Sequence, residues 1–245
     1  MLIYKNEFTV PYYESDVTGN IKLPSLFNIA LQLSGEQGAI LNRSDQWTKA
    51  HYNYTWIVVE YEVDIQRLPV FNETMTIETF AKTYNKFFCY RDFIFYAENG
   101  DELLKISSTW VLIDVDTRKV AHVEDEIVAP YQSEKIKRII RGHRFRELKL
   151  EPTCERNYFV RFNDIDQNGH VNNSKYLDWM IDMLDFDFLS THVPQKIYLK
   201  YAKEVLYGVS VKSRAEVVGE QSFHEILTDD LNAQAEIIWR KNDDL

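Results

Sequence analysis

The chain has 245 residues, 45% hydrophobic and 14% aromatic, with only 8 Gly and 6 Pro. That is enough apolar material for one large domain or two small ones, and it excludes collagen-like and disordered classes. A formal net charge of −10 repels phosphate backbones, and 2 cysteines outside any CxxC pattern give no disulfide framework or zinc site, so a cytoplasmic protein with no nucleic-acid partner is expected.

The amino terminus, MLIYKNEFTV, lacks signal- or transit-peptide character. No apolar run approaches the roughly 20 residues needed to cross a bilayer, so no membrane partner is expected. After a first short strand, LPSLFNIALQLSGEQGAIL (23–41) reads as a helix with Pro24 in its first turn. Apolar residues surround its first half, which predicts burial. Gly35 and Gly38 would admit a neighbouring backbone. WIVVEYEVDI (56–65) alternates, placing Ile57, Val59, Tyr61 and Val63 on one face. ETMTIETFAKTY, FFCYRDFIFYAE and KISSTWVLIDVD follow as strands, the last two joined by a turn at Glu98-Asn99-Gly100-Asp101.

The same plan returns in the second half. A short strand leads to a helix at about 173–189, with Tyr176, Leu177, Met180, Ile181 and Leu184 on one stripe and Asp178, Asp182 and Asp185 mostly opposite. KIYLKYAKEV (196–205) alternates with Ile197, Leu199 and Tyr201 inward. VSVKSRAEVVGE, SFHEILTD and AQAEIIWR complete the strands. Trp110 and Trp239 stand in the closing strand of each half. Strands segregated from one helix per half argue α+β. A long helix wrapped by a curved antiparallel sheet is the hotdog arrangement, and two tandem copies make a double hotdog.

A weak internal repeat supports this plan. FTVPYYESDVTGNIKLPSLFN from Phe8 aligns with YFVRFNDIDQNGHVNNSKYLD from Tyr158. Val10 matches Val160, Glu14 matches Asp164, Asp16 matches Asp166, Gly19 matches Gly169 and Ile21 matches Val171. Each polar residue taken singly reads as turn or cap chemistry, and Asn172 or Asn173 suits a helix cap. The copies diverge at two positions. Thr18 stands where the second copy has Asn168, and Asn20 where it has His170. A titratable His in one copy only points to one functional site per chain. Helix-start amides can hold an oxyanion, and His moves protons near neutral pH. The missing carboxylate has a candidate in Glu204 on the following strand, although spacing alone favours a solvent-facing strand end.

With these residues in view, the chain resembles the acyl-acyl-carrier-protein thioesterases of plant plastids and bacteria. DIDQNGHVNNSKYLDWM is similar to that family's D-x-N-x-H-V-N-N signature with its following K-Y and Trp. WIVVEYEVDIQRLPVFNETMTIET, YRDF, SSTWVLIDVDTRKV, KYAKEVLYG and AEIIWR extend the likeness over most of the chain. The resemblance implies catalytic roles for Asp166, Asn168, His170 and Glu204. The plant pattern has Cys directly after the catalytic Glu. Here that position is Val205, so a thiol mechanism there is excluded, and attack by water or by a carboxylate is left.

The resemblance implies hydrolysis of fatty acyl-carrier thioesters to free fatty acid, terminating fatty acid synthesis. The partner would be acyl carrier protein bearing a fatty acyl phosphopantetheine thioester, the enzyme a monomer or homodimer. The alternatives are an acyl-coenzyme A thioesterase and a non-catalytic acyl-binding protein. No metal or organic cofactor is expected: neither GxGxxG nor a P-loop occurs, and His170 has no second His at ligand spacing. The expected layout is residues 1–130 for the first hotdog with the acyl pocket, 131–150 for a basic linker, and 151–245 for the catalytic hotdog. Leu26, Phe27, Ile29, Ala30 and Leu33 are candidate pocket residues, explained equally by core packing. KIKRIIRGHRFRELK (135–149) reads either as a solvated linker or as a docking site for the acidic carrier.

Overall fold

The computed structural model of the chain describes residues 1–148 and 154–242. The expected domain start at residue 151 and the last two linker residues, 149 and 150, lie outside them. The first half runs β1 (Tyr4–Thr9), α1 (Leu23–Ile40), α2 (Asp45–Tyr52), β2 (Tyr54–Ile65), β3 (Thr74–Tyr84), β4 (Phe88–Ala97), β5 (Glu102–Asp114), the one-turn α3 (Asp125–Val128) and the two-residue β6 (Glu134–Lys135). The second half runs β7 (Cys154–Phe159), α4 (Asn173–Ile181), α5 (Phe186–Thr191), β8 (His192–Tyr201), β9 (Ser210–Val218), β10 (Gln221–Leu227) and β11 (Leu231–Lys241).

All these strands join one sheet in the order β1-β3-β4-β5-β2-β8-β11-β10-β9-β7, with β6 beside β3. Every pairing is antiparallel except β3 with β6. The seam between the halves is β2 against β8, running from Glu60↔Lys200 to Asp64↔Lys196. Helices α1 and α4 pack against each other, and one apolar core joins them to strands of both halves. The class is α+β, with a large antiparallel sheet and few helices. Among the described residues no helix is long and apolar enough to cross a bilayer.

Helix α1 forms as its sequence predicts, with Pro24 in its first turn and Leu26, Phe27, Ile29, Ala30 and Leu33 buried. A Cβ on Gly38 would meet the Arg43 carbonyl oxygen at 3.1 Å, so close approach is real there, whereas nothing lies near Gly35. Two expectations need correction. The strand 56–65 buries Val58, Tyr61, Val63 and Ile65 rather than Ile57 and Val59, because its pairing with β5 slips between Val58 and Glu60. One extra residue at a bulge exchanges the faces of everything before it.

The helix expected at 173–189 ends instead at Ile181 and resumes as the separate α5. The break is at Asp182. Arg156 Nη1 donates to its carbonyl oxygen at 3.1 Å and to its carboxylate at 2.5 Å, and Tyr158 Oη donates to the same carboxylate. That carbonyl is thereby turned to β7.

The basic segment is pinned across the seam on the sheet face away from the helices. The His143 ring stacks on Tyr198 of β8, with centroids 3.8 Å apart. Its backbone N–H donates to Glu60 of β2 at 3.0 Å, and its Nε2 lies 2.7 Å from Glu236 of β11. Arg146 donates through its amide to Glu236 and through its guanidinium to Glu216 of β9, and it sits over the Phe223 ring of β10. Burial raises the pKa of Glu60 against the opposing pull of Lys200. Lys137, Arg138 and Arg141 remain exposed.

Candidate active site

The turn before α4 is organised by Asp166. Its Oδ1 accepts the backbone N–H of Asn168 at 2.8 Å and that of His170 at 3.4 Å. Its own amide donates to the His170 carbonyl at 2.8 Å, and its carbonyl accepts the Gly169 N–H at 3.1 Å. Gly169 takes φ +83°, a left-handed conformation that glycine reaches at low cost. This aspartate therefore aims Asn168 and His170 through their amides rather than through their side chains. Asn172 caps α4 by accepting from Ser174 N at 2.9 Å.

Helix-start amides are less available than the sequence implies. Asn172 N donates to Asp164 O at 2.8 Å, Ser174 N to the cap, and Lys175 N to Asn172 O at 2.9 Å. The exposed side chain of Asn168 makes no bond to Asp166, His170 or Glu204 among the described contacts, so its amide is open to a ligand.

His170 and Glu204 come together across the fold. Nε2 of His170 lies 3.3 Å from Oε2 of Glu204, with side chains 25% and 36% exposed, open enough for a substrate to reach. Glu204 lies past the end of β8 rather than within a strand. Its main chain is clamped on both sides. Ala202 and Lys203 donate to the Asn232 carbonyl at 2.8 and 3.2 Å, and the Val205 carbonyl accepts Val171 N at 3.0 Å. Val205 N donates to the buried Tyr176 hydroxyl at 3.0 Å. Burial drives the Tyr176 hydroxyl's pKa upward, so it stays protonated. Tyr201 Oη donates to the Asn173 carbonyl at 2.8 Å and ties β8 to the start of α4.

Arg118, a residue the sequence did not single out, donates from its guanidinium to the same Oε2 of Glu204. It comes from the turn after β5 in the other half. The chain separation of 86 residues hides this pairing from any local pattern, and only the turn-like DVDTRK hints at a projecting residue.

The corresponding turn of the first half is built alike. Asp16 Oδ1 accepts from Thr18 N at 2.8 Å and Asn20 N at 3.2 Å, and Gly19 takes φ +82°. Ile21 N donates to Pro69 O as Val171 N does to Val205 O. That equivalence sets buried Leu68 opposite Glu204 and Asn20 opposite His170. A depression of about 430 Å³ lies here, lined by Tyr12, Tyr13, Ser15, Asp16, Val17 and Lys22, and it lacks the His-carboxylate pair.

Residues 1–131 match the Acyl-ACP thioesterase N-terminal domain and residues 148–241 the Acyl-ACP thioesterase C-terminal domain. The chloroplastic oleoyl-acyl carrier protein thioesterase of Coriandrum sativum is 24% identical over 236 residues, covering 86% of this chain and 62% of that protein. The chloroplastic palmitoyl-acyl carrier protein thioesterase of Cuphea hookeriana is 26% identical, covering 83% and 52%. The chain thus spans about half to three fifths of these curated relatives. A crystal structure from Lactobacillus plantarum, provisionally assigned as an oleoyl thioesterase, superposes with a TM-score of 0.94 at 36% identity, covering 98% of this chain and 96% of that one. The 12:0-ACP thioesterase from Umbellularia californica shares the fold, with a TM-score of 0.88 at 19% identity and 98% coverage of both chains.

Proposed function

Because the chain belongs to the acyl-ACP thioesterase family, we propose that it hydrolyses fatty acyl thioesters of acyl carrier protein, releasing free fatty acid. The observation that carries this reading is the His170–Glu204 pair, 3.3 Å apart beside the Asp166 turn. Water attacks the thioester carbonyl carbon, and its proton passes to the pair. The tetrahedral intermediate then collapses, the C–S bond breaks, and the proton goes to the leaving thiolate. Asn168 offers its side-chain amide to the oxyanion. Asp166 holds Asn168 and His170 in position, since its Oδ1 accepts both their amides.

We assign the two halves to a double hotdog. Residues 1–130 form the hotdog that receives the acyl chain against α1, 131–150 are the linker, and 151–245 form the hotdog that carries catalysis. Support comes from the shared turn chemistry at Asp16 and Asp166 and from the sheet order, in which five strands of each half lie on either side of the seam. Lys137, Arg138 and Arg141, exposed on the stretch that runs past Tyr84, Asn85 and Tyr90, are proposed to meet the acidic carrier.

The test is fatty acid release from acyl-carrier-protein thioesters beside matched acyl-coenzyme A. Replacing His170 or Glu204 by Ala should lower kcat by roughly 10²–10⁴, the range of general acid–base terms. Near-normal turnover by Glu204→Ala would refute the assignment. Equal or better use of coenzyme A esters would shift the substrate class, and binding without turnover in the parent would make this an acyl-binding protein.

A further inference from the structure

We propose that Arg118 is a positioning residue for this hydrolysis, holding Oε2 of Glu204 so that Oε1 faces the attacking water. The inference rests on the role given to Glu204 above.

Both described contacts of the Glu204 carboxylate fall on one oxygen. The Arg118 guanidinium and His170 Nε2 each approach Oε2. A carboxylate fixed at one oxygen by two groups from different directions has lost its free rotation. Its second oxygen then points in a set direction, the one a general base needs. Arg118 cannot be that base or the matching acid, because a guanidinium stays charged at any working pH. Its function is to orient.

The turn that delivers Arg118 is stiff. Asp114 Oδ1 accepts the Thr117 amide at 2.7 Å and its hydroxyl at 2.8 Å. Arg118 N donates to Asp114 O, and Asp114 N donates to Lys119 O. The left-handed end of α2 braces the turn from the side. Asn53, at φ +59°, accepts Val115 N through its carbonyl at 2.9 Å and donates from Nδ2 to Asp116 at 2.8 Å. Arg118 itself is left-handed, at φ +57°. An exposed ion pair contributes little to stability, with a median of about 0–1 kcal/mol. Two left-handed residues and a bonded turn that place the guanidinium on the carboxylate meeting the His170 ring fit a role in orientation instead.

The experiment is a double-mutant cycle on the full chain, using Arg118→Gln, Glu204→Gln, the double variant and Arg118→Lys. The readouts are kcat, KM on carrier-bound substrate and melting temperature. Misplacing a reacting group by about 1 Å can cost on the order of 10² in rate. Arg118→Gln should therefore lower kcat by about tenfold or more, with KM and melting temperature near the parent values. Arg118→Lys should recover a substantial part. In the Glu204→Gln background the Arg118 change should cost nothing further, because the oriented base is already gone.

Equal losses in both backgrounds would overturn the inference, as would an effect confined to KM. If Glu204→Gln is crippled while Arg118→Gln keeps parental kcat, the inference alone falls. If Glu204→Gln turns over normally, the catalytic assignment falls and takes the inference with it.

Discussion

Gly169 and Gly19 hold the same step in two turns of like construction, one beside His170 and one beside Asn20. At φ +83° and +82° each is strained by any Cβ, and nothing lies near enough to either to clash with one. Alanine at either site should cost about 1–2 kcal/mol of stability from the left-handed backbone alone. Activity should separate them. Gly169→Ala shifts the His170 amide from Asp166 and is expected to lower kcat about tenfold, while Gly19→Ala leaves kcat unchanged. Melting curves and turnover on the two variants check this, and equal losses of kcat would mean the first turn also serves the chemistry. This scale is where the sequence was most legible. Asp166, Asn168 and His170 share one turn, so their spacing carries their relation. Arg118 was invisible because its partner is reached only through the fold.

At the scale of elements, periodicity found the strands and α1, and long-range contacts decided the rest. Helix α4 stops where Arg156 and Tyr158 take hold of Asp182, a pull from β7 that the apolar stripe of 173–189 does not register. The bulge at Val59 is similarly a property of the β2–β5 pairing. Helix α2 carries a local signal of its own: Ser44 caps it by accepting Trp47 N, and Asn53 ends it. The basic segment divides into two groups by partner. His143 and Arg146 are committed to Glu60, Glu236 and Glu216, whereas Lys137, Arg138 and Arg141 face solvent. Reversing the three exposed charges should raise KM for carrier-bound substrate, on the order of tenfold at low salt, and leave short synthetic thioesters unaffected. Equal effects on both substrates would discard docking at this segment. Arg146→Glu should instead lower the melting temperature, since it sets a carboxylate beside Glu216.

For the whole molecule, acid stability is expected to depend on a buried side chain outside the proposed site. His224 of β10 is buried, with Nε2 2.8 Å from Ser222 Oγ, and burial pushes its pKa down to about 3. An unfolded His titrates at about 6.5. Between those values the unfolded chain binds a proton that the folded chain refuses, so stability falls as pH falls, by about 1.4 kcal/mol per pH unit for this one group. Urea unfolding at pH 6.5, 5.5 and 4.5 should show that slope in the parent and lose one proton's worth of it in His224→Leu. An unchanged slope would mean that His224 is charged in the fold.

Arg118 and Glu204 belong to opposite sides of the β2–β8 seam yet to one polypeptide. Between separate subunits, their encounter would obey a dissociation constant and fail on dilution. Within one chain it has a fixed effective concentration that no dilution alters. A pair of identical subunits must also carry every substitution twice, on both sides of a two-fold axis. One continuous chain is released from that constraint. Leu68 can fill a core where its counterpart Glu204 meets solvent, and Asn20 can close a turn where His170 faces a carboxylate.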